Sequence, residues 1–179
     1  MIIKKLRVYL YYLLINIFHN FIKFTIFVLP FVIGSPKKFN SSRLPLLKKM
    51  IKKNFKKKIN VLEVGTHYGL GSTQTIINNI PKNSSFTCLD MWSHRIITKY
   101  DYLLPFLNTI VNTADKKNIN IIKSSSRFML SLKKNSYDLI YIDASHFYDD
   151  VSKDIANAKK LKKKNFAIIC GDDCELPTS

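Results

Sequence analysis

From residue 59 onward, short apolar runs alternate with stretches whose apolar positions recur at helical spacing. Ile59–Val64, Ser85–Asp90, Asn120–Lys123, Tyr137–Ile142 and Phe166–Cys170 read as strands. Between them, Ser72–Ile80, Tyr102–Ala114, Arg127–Leu132 and Tyr148–Leu161 read as helices. This alternation predicts an α/β fold: an open, doubly wound, mostly parallel sheet of about five strands with right-handed crossovers. Such a sheet binds its ligand beyond the carboxyl ends of its strands. Glu63, Asp90, Asp143, Asp172 and Asp173 all fall at or just past a predicted strand end.

The pattern upstream is different. Residues 8–34, VYLYYLLINIFHNFIKFTIFVLPFVIG, are strongly apolar, but Lys23 divides them into halves shorter than the roughly 20 residues a spanning helix needs. On a helical wheel Lys5, Tyr12, Asn16, His19, Asn20 and Lys23 share one face, and Leu6, Leu10, Leu13, Leu14, Ile17, Phe18 and Phe21 fall largely on the others. That arrangement predicts a helix lying in a membrane interface, with a single tilted span and a snorkelling Lys23 as the other reading. No small-residue cleavage site follows, which argues against a removable signal peptide. Residues 48–58, KKMIKKNFKKK, then carry seven lysines. They suit attraction to anionic lipid, or else they solvate one face of a helix from about Ser41 to Lys53. The chain therefore divides into an apolar segment 1–36, a basic linker and helix 37–58, and a domain 59–179.

Composition sharpens this division. The 179 residues carry a net charge of +17, yet residues 1–60 hold fourteen basic side chains and no acid. Residues 61–118 hold five basic and four acidic side chains, and residues 119–179 hold ten and eight. A nearly neutral domain argues against nucleic acid as partner. Cys88, Cys170 and Cys174 are an odd number without disulfide-type spacing, which predicts a reducing compartment. Together these features place the domain in the cytoplasm, at the membrane face.

The first predicted strand runs into VLEVGTHYGLGST, residues 61–73, where Glu63 precedes Gly65 and further glycines stand at Gly69 and Gly71. Glycines let such a loop turn tightly and let a ligand approach its backbone. The loop departs from a GxGxxG fingerprint in spacing and in the charge of Glu63, and it lacks the GK[ST] ending of a phosphate-cradling loop. A nucleotide held by its phosphates is thus disfavoured. Twenty-five residues past Gly65, Asp90 ends the second strand, where an acid can accept hydrogen bonds from ribose hydroxyls.

These residues resemble the class I S-adenosylmethionine-dependent methyltransferases, a Rossmann-like superfamily whose first motif has the form (D/E)xGxxxGxS and whose second strand ends in an acid. The closer likeness is to the metal-dependent O-methyltransferases and methyltransferase domain 24, from about Val61 to Glu175. By that resemblance Glu63 and the loop Gly65, Thr66, His67, Tyr68, Gly69, Gly71 and Ser72 would line the methionine and ribose side of S-adenosyl-L-methionine. Asp90 would hold the ribose, with Met91 and Trp92 beside it. Ser125 or Ser126 would edge the adenine, and Asp143 would border the cofactor.

The stretch YDLIYIDASHFYDDVSKDI, residues 137–155, is answered by IICGDDCE, residues 168–175. If their strands are neighbours, Asp143, Asp172 and Asp173 converge as hard oxygen ligands for Mg²⁺ or Mn²⁺. The other reading has Asp143 capping the following helix and the acidic pair in a solvated turn. His146 lies three residues past Asp143, within reach of the site, and an imidazole with an ordinary pKa near ~6.5 can take a proton from a hydroxyl. In the resembling family that position holds the general base, which favours His146 over His19, His67 and His94. Asp149 and Asp150 suit the first turn of a helix.

The resemblance implies methylation of a hydroxyl on a sugar or other small molecule. A surface-glycan precursor is the preferred acceptor, and a non-catalytic, membrane-tethered cofactor-binding module is the competing reading. Relatives of this kind continue past the acidic pair into further strands, so the expectation is either a C-terminally incomplete fragment or a partner or second copy over the open sheet edge.

Overall fold

The structure is a computed structural model and describes residues 14, 17, 18, 43–92 and 103–172. Most of the apolar segment 8–34, His94, Asp173, Cys174 and Glu175 lie outside the described residues. Leu14, Ile17 and Phe18 have helical backbone and are exposed. Among the described residues, no helix is long and apolar enough to cross a membrane.

The five expected strands form, as β1 (Asn60–Val64), β2 (Ser85–Asp90), β3 (Ile119–Lys123), β4 (Leu139–Ile142) and β5 (Ile168–Gly171). All pair in parallel, in the order β3-β2-β1-β4-β5. Val61 stands opposite Phe86 on one side and Leu139 on the other, and Ile142 opposite Gly171. With β1 at the centre, the chain winds outward through β2 and β3, then returns to add β4 and β5. The reversal lies between β1 and β4, and it opens the crevice there at the carboxyl edge.

Alternation along the strands sorts two cores. Val61, Phe86, Cys88, Ile121, Leu139 and Tyr141 belong to one, with side chains from α1 (Leu44–Asn54), α2 (Ser72–Ile77) and α3 (Leu103–Thr113). Leu62, Val64, Leu89, Ile122, Ile140 and Ile142 belong to the other, with Met129 of the 3₁₀ helix Ser126–Ser131 and Ala158 and Leu161 of α4 (Tyr148–Leu161). Strands buried on both faces need near-continuous apolar runs, which is the pattern the sequence displays.

Helix α1 shows why the lysine-rich stretch folds. Leu47, Ile51 and Phe55 recur every four residues and enter the first core, while Lys48, Lys49, Lys52 and Lys53 stay exposed. Burying those three side chains contributes roughly 1.5–3 kcal/mol each, enough to order a helix whose polar face is all cation. This helix, placed by sequence in a basic linker, packs into the same core as the strands, and its lysines solvate one face.

Two other expectations shift. α2 ends at Ile77, because Pro81 disfavours helical backbone at Ile80 and the chain turns through residues 78–80. The helix expected over 127–132 is instead a short 3₁₀ helix over 126–131, with Leu132 already extended.

Candidate functional site

The carboxyl edge is organised around the loop 65–71. Asp90, at the end of β2, accepts from Thr66 N at 2.7 Å and His67 N at 2.8 Å through Oδ2, and from Trp92 N at 2.6 Å through Oδ1. One carboxylate thus fixes the start of the glycine loop and the turn after its own strand. The loop carbonyls are held from the helices. Thr109 Oγ1 and Trp92 Nε1 donate to His67 O, Asn112 Nδ2 donates to Tyr68 O, and Gln74 Nε2 donates to Gly69 O.

The glycines are required by packing. Gly65 has φ +90°, and a Cβ there would overlap the Asp143 carbonyl oxygen, just past the end of β4. Gly69 has φ +67°, and its Cβ would stand 2.8 Å from Thr109 Cα on α3. Sequence reasoning assigned these positions to a tight turn, which the positive φ values match, and to close approach by a ligand. The structure shows that the backbones of β4 and α3 already fill the space.

Glu63 is fully buried beneath this loop. Thr73 Oγ1 donates to its Oε2 at 2.6 Å, whereas Oε1 is buried with no hydrogen-bond partner. Burial raises its pKa from the usual 4.5 to about 8, with the charges of Asp143 and Asp90 adding to the rise against the Thr73 and Ser72 hydroxyls. An unpartnered carboxyl oxygen at the root of a ligand crevice is ready to meet a cationic or donor group.

A family of methyltransferase domains matches residues 62–174, which is most of the chain and spans this whole edge. The protein belongs to the methyltransferase domain family.

Solved structures agree with that fold at low identity. A candidate O-methyltransferase from Klebsiella pneumoniae is 16% identical with a TM-score of 0.58, covering 87% of this chain and 75% of that one. Cofactor-bound Rv0187 from MTB is 19% identical with a TM-score of 0.56, covering 77% of this chain and 58% of that one. The O-methyltransferase from Bacillus cereus in complex with SAH is 17% identical with a TM-score of 0.54, covering 77% and 59%. The methyltransferase domain described here spans about three fifths of the length of the latter two. Comparison with curated proteins gives no match.

Within the methyltransferase domain, the remaining expected site residues separate into groups. His67 is exposed, with its ring edge-on to Tyr68 at 4.3 Å, and Met91 is exposed beside Asp90. Ser125 stands just before the 3₁₀ helix that follows β3, makes no side-chain cap, and is partly buried. Asp143 is partly buried and His146 exposed between β4 and α4. Trp92, expected beside the cofactor, is instead core: it is buried, lies 5.0 Å from Phe106, and has its indole N–H on His67 O. The Ser126 hydroxyl bonds the buried Asp154 of α4, whose pKa burial raises. Nothing in the sequence marked Asp154, because an acid in an amphipathic helix reads as solvated.

Asp172 has an unexpected partner. Arg43, just before α1, forms an ion pair with its carboxylate. The expected trio of Asp143, Asp172 and Asp173 rests partly on Asp173, outside the described residues. Among the described residues no group of three or more His, Cys, Asp or Glu converges to hold a metal ion. A dication at Asp172 would have to compete with the Arg43 guanidinium, so these residues fit Mg²⁺ or Mn²⁺ poorly.

Proposed function

We propose that this methyltransferase domain binds S-adenosyl-L-methionine at the carboxyl edge and methylates a hydroxyl oxygen of a small molecule or sugar. The observation that carries the reading is the loop 65–71, tied to Asp90 at the β1–β4 switch point, over a buried Glu63 with one unpartnered oxygen. These groups fit the cofactor. Glu63 would face its cationic amino-acid end, where a nearby positive charge would favour the ionised carboxylate. Asp90 accepts three amide bonds, two on Oδ2 and one on Oδ1, which leaves Oδ1 a lone pair for a ribose hydroxyl. Exposed Met91 and partly buried Ser125 would flank the base.

When bound, the cofactor supplies a methyl group on a cationic sulfur, which keeps the bonding pair as the acceptor oxygen takes the methyl carbon. His146, at the mouth of the crevice, would take the hydroxyl proton as that oxygen attacks. Asp143, three residues earlier, would orient the approach to the same mouth. No step is assigned to a metal, since Asp172 already carries Arg43.

The test is calorimetric titration of S-adenosyl-L-methionine into the full chain, with and without Mg²⁺, beside Asp90→Ala. Micromolar binding that is insensitive to Mg²⁺ and weakened at least tenfold in the variant is expected. A folded chain that binds no cofactor would sink the proposal. For the chemistry, His146→Ala should lower turnover on hydroxylated acceptors while leaving cofactor affinity unchanged.

A further inference from the structure

The opposite edge of the sheet has a chemistry that the chain's overall balance conceals. Five loops lead into the strands at the amino edge: residues 55–59, 78–84, 114–118, 132–138 and 162–167. They carry eleven lysines, at 56, 57, 58, 82, 116, 117, 133, 134, 162, 163 and 164, against two acids, Asp115 and Asp138. Both acids are matched, Asp115 by Lys116 at 3.0 Å and Asp138 by Lys163 at 2.8 Å. By contrast the loops leaving β1, β3 and β4, residues 65–71, 124–125 and 143–147, hold no lysine and only Asp143. Strand direction thus gathers on the amino edge a concentration of lysine that these three loops of the carboxyl edge lack.

Part of this has a structural cause. Helices α1 and α4 end at the amino edge, where Lys52, Lys53, Lys159 and Lys160 complement the negative ends of their dipoles. The loop lysines lie outside the helices, and of them Lys56 donates to the Lys52 carbonyl oxygen in the last turn of α1. A cleft of about 490 Å³ also lies here, lined by Phe55, Asn135, Asp138, Lys163, Lys164 and Phe166. Phe166 is 53% exposed and packs edge-on against Phe55 at 5.9 Å, so an apolar ring stands proud among the cations.

We propose that the amino edge is a docking face for an anionic lipid bilayer. Every cation on these loops is lysine. The described arginines, Arg43 and Arg127, lie at the carboxyl edge, one paired with Asp172 and the other following β3. Lysine is a compact point charge suited to a diffuse anionic plane, whereas bidentate reading of nucleic-acid phosphates and bases favours arginine. An exposed phenylalanine amid lysines suits the boundary between headgroups and acyl chains, where the ring inserts and the cations stay with the headgroups. The sequence of residues 8–34 supplies a second, apolar signal, and stable membrane anchoring takes two. Residues 35–42 reach about 28 Å when extended, against about 17 Å for a five-residue strand. One bilayer can therefore receive both the apolar segment and the amino edge. The crevice at the carboxyl edge then faces away from the lipid, toward acceptors held in the aqueous phase.

The test uses the full chain and vesicles of phosphatidylcholine with 30% phosphatidylglycerol, against pure phosphatidylcholine, by co-sedimentation at low and high salt. The variant is Lys133→Gln, Lys134→Gln, Lys164→Gln. Each lysine near the surface is worth about fivefold in affinity, so the triple variant should lose roughly a hundredfold on anionic vesicles and nothing on neutral ones. Lys82→Gln with Lys117→Gln, on other loops, should lose roughly 25-fold, which covers the case in which the triple variant misfolds. Unchanged binding of either folded variant to anionic vesicles would overturn the proposal. So would a stronger, salt-sensitive binding of the parent to duplex nucleic acid that the same substitutions abolish.

Discussion

At the carboxyl edge Asp90, Thr109, Asn112 and Gln74 turn their side chains onto the backbone of residues 65–71, leaving Glu63 Oε1 and Thr66 Oγ1 as buried atoms without a partner among the described residues. At the amino edge the lysines reach into solvent from loops of five to seven residues, with only two acids among them. Strand direction makes the difference. In a parallel sheet every strand end of one kind falls on one edge, so residues far apart in sequence are collected there. An interlocked edge holds a ligand in fixed geometry and fails as a unit. An edge of independent charges tolerates single losses and acts through its sum.

The sharpest way to break the interlocked edge is Gly65→Ala. A Cβ there meets the Asp143 carbonyl oxygen, and φ is +90°. The cost should be about 3 to 5 kcal/mol, read as a lower urea midpoint. A loss below ~1 kcal/mol would show that β1 and β4 separate more easily than their register implies.

Next in size is the proton on Glu63. The unfolded carboxyl ionises near 4.5 and the folded one near 8, so between these values the folded chain binds more protons. Stability should therefore fall as pH rises from 5 to 8, by at most about 1.4 kcal/mol per pH unit. Glu63→Gln should flatten that slope in urea titrations at pH 5.5, 6.5 and 7.5. Equal slopes in parent and variant would refute the buried, neutral carboxyl.

Arg43→Gln tests an intermediate case. The paired side chains are 40% and 22% exposed, so the ion pair should contribute less than about 1 kcal/mol. The informative readout is Mg²⁺: freeing Asp172 should let the variant respond to the ion in a thermal shift where the parent does not. Smallest of all, Lys164→Ala should change stability by under ~0.5 kcal/mol, as expected for an exposed loop lysine.

Much of the fold was legible in the sequence because the strands are buried on both faces. Ile59–Val64 and Ile119–Lys123 could only be continuous apolar runs, and their observed bounds differ from the expected ones by a residue. The glycine loop and Asp90 were legible as a site, but not as a machine. That Asp90 ties down three amides, or that Gly65 yields to a carbonyl 78 residues later, depends on which strands become neighbours. Trp92 and Ser126 were misplaced for the same reason: a residue after a strand end can turn toward the crevice or back into the protein. The Arg43–Asp172 pair carried no signal, since an arginine before a lysine-rich helix looks like one more cation. The basic edge was hidden by averaging, because acids elsewhere in the domain cancel its lysines in any count along the chain.

The Arg43–Asp172 pair also says something about birth order. The two residues are separated by 129 positions, and Ile168 and Cys170, which pack against the core that α1 enters, are made almost as late. At about 5 to 20 residues per second, helix α1 waits roughly 6 to 26 s on the ribosome before its last partners emerge. For that interval the stripe of Leu47, Ile51 and Phe55 lacks part of its cover, on a nascent chain that has already exported the apolar residues 8–34 from the tunnel. The helix that starts the domain is among the last pieces to be secured, which makes the emerging chain a natural client for chaperones that grip apolar stretches flanked by lysine.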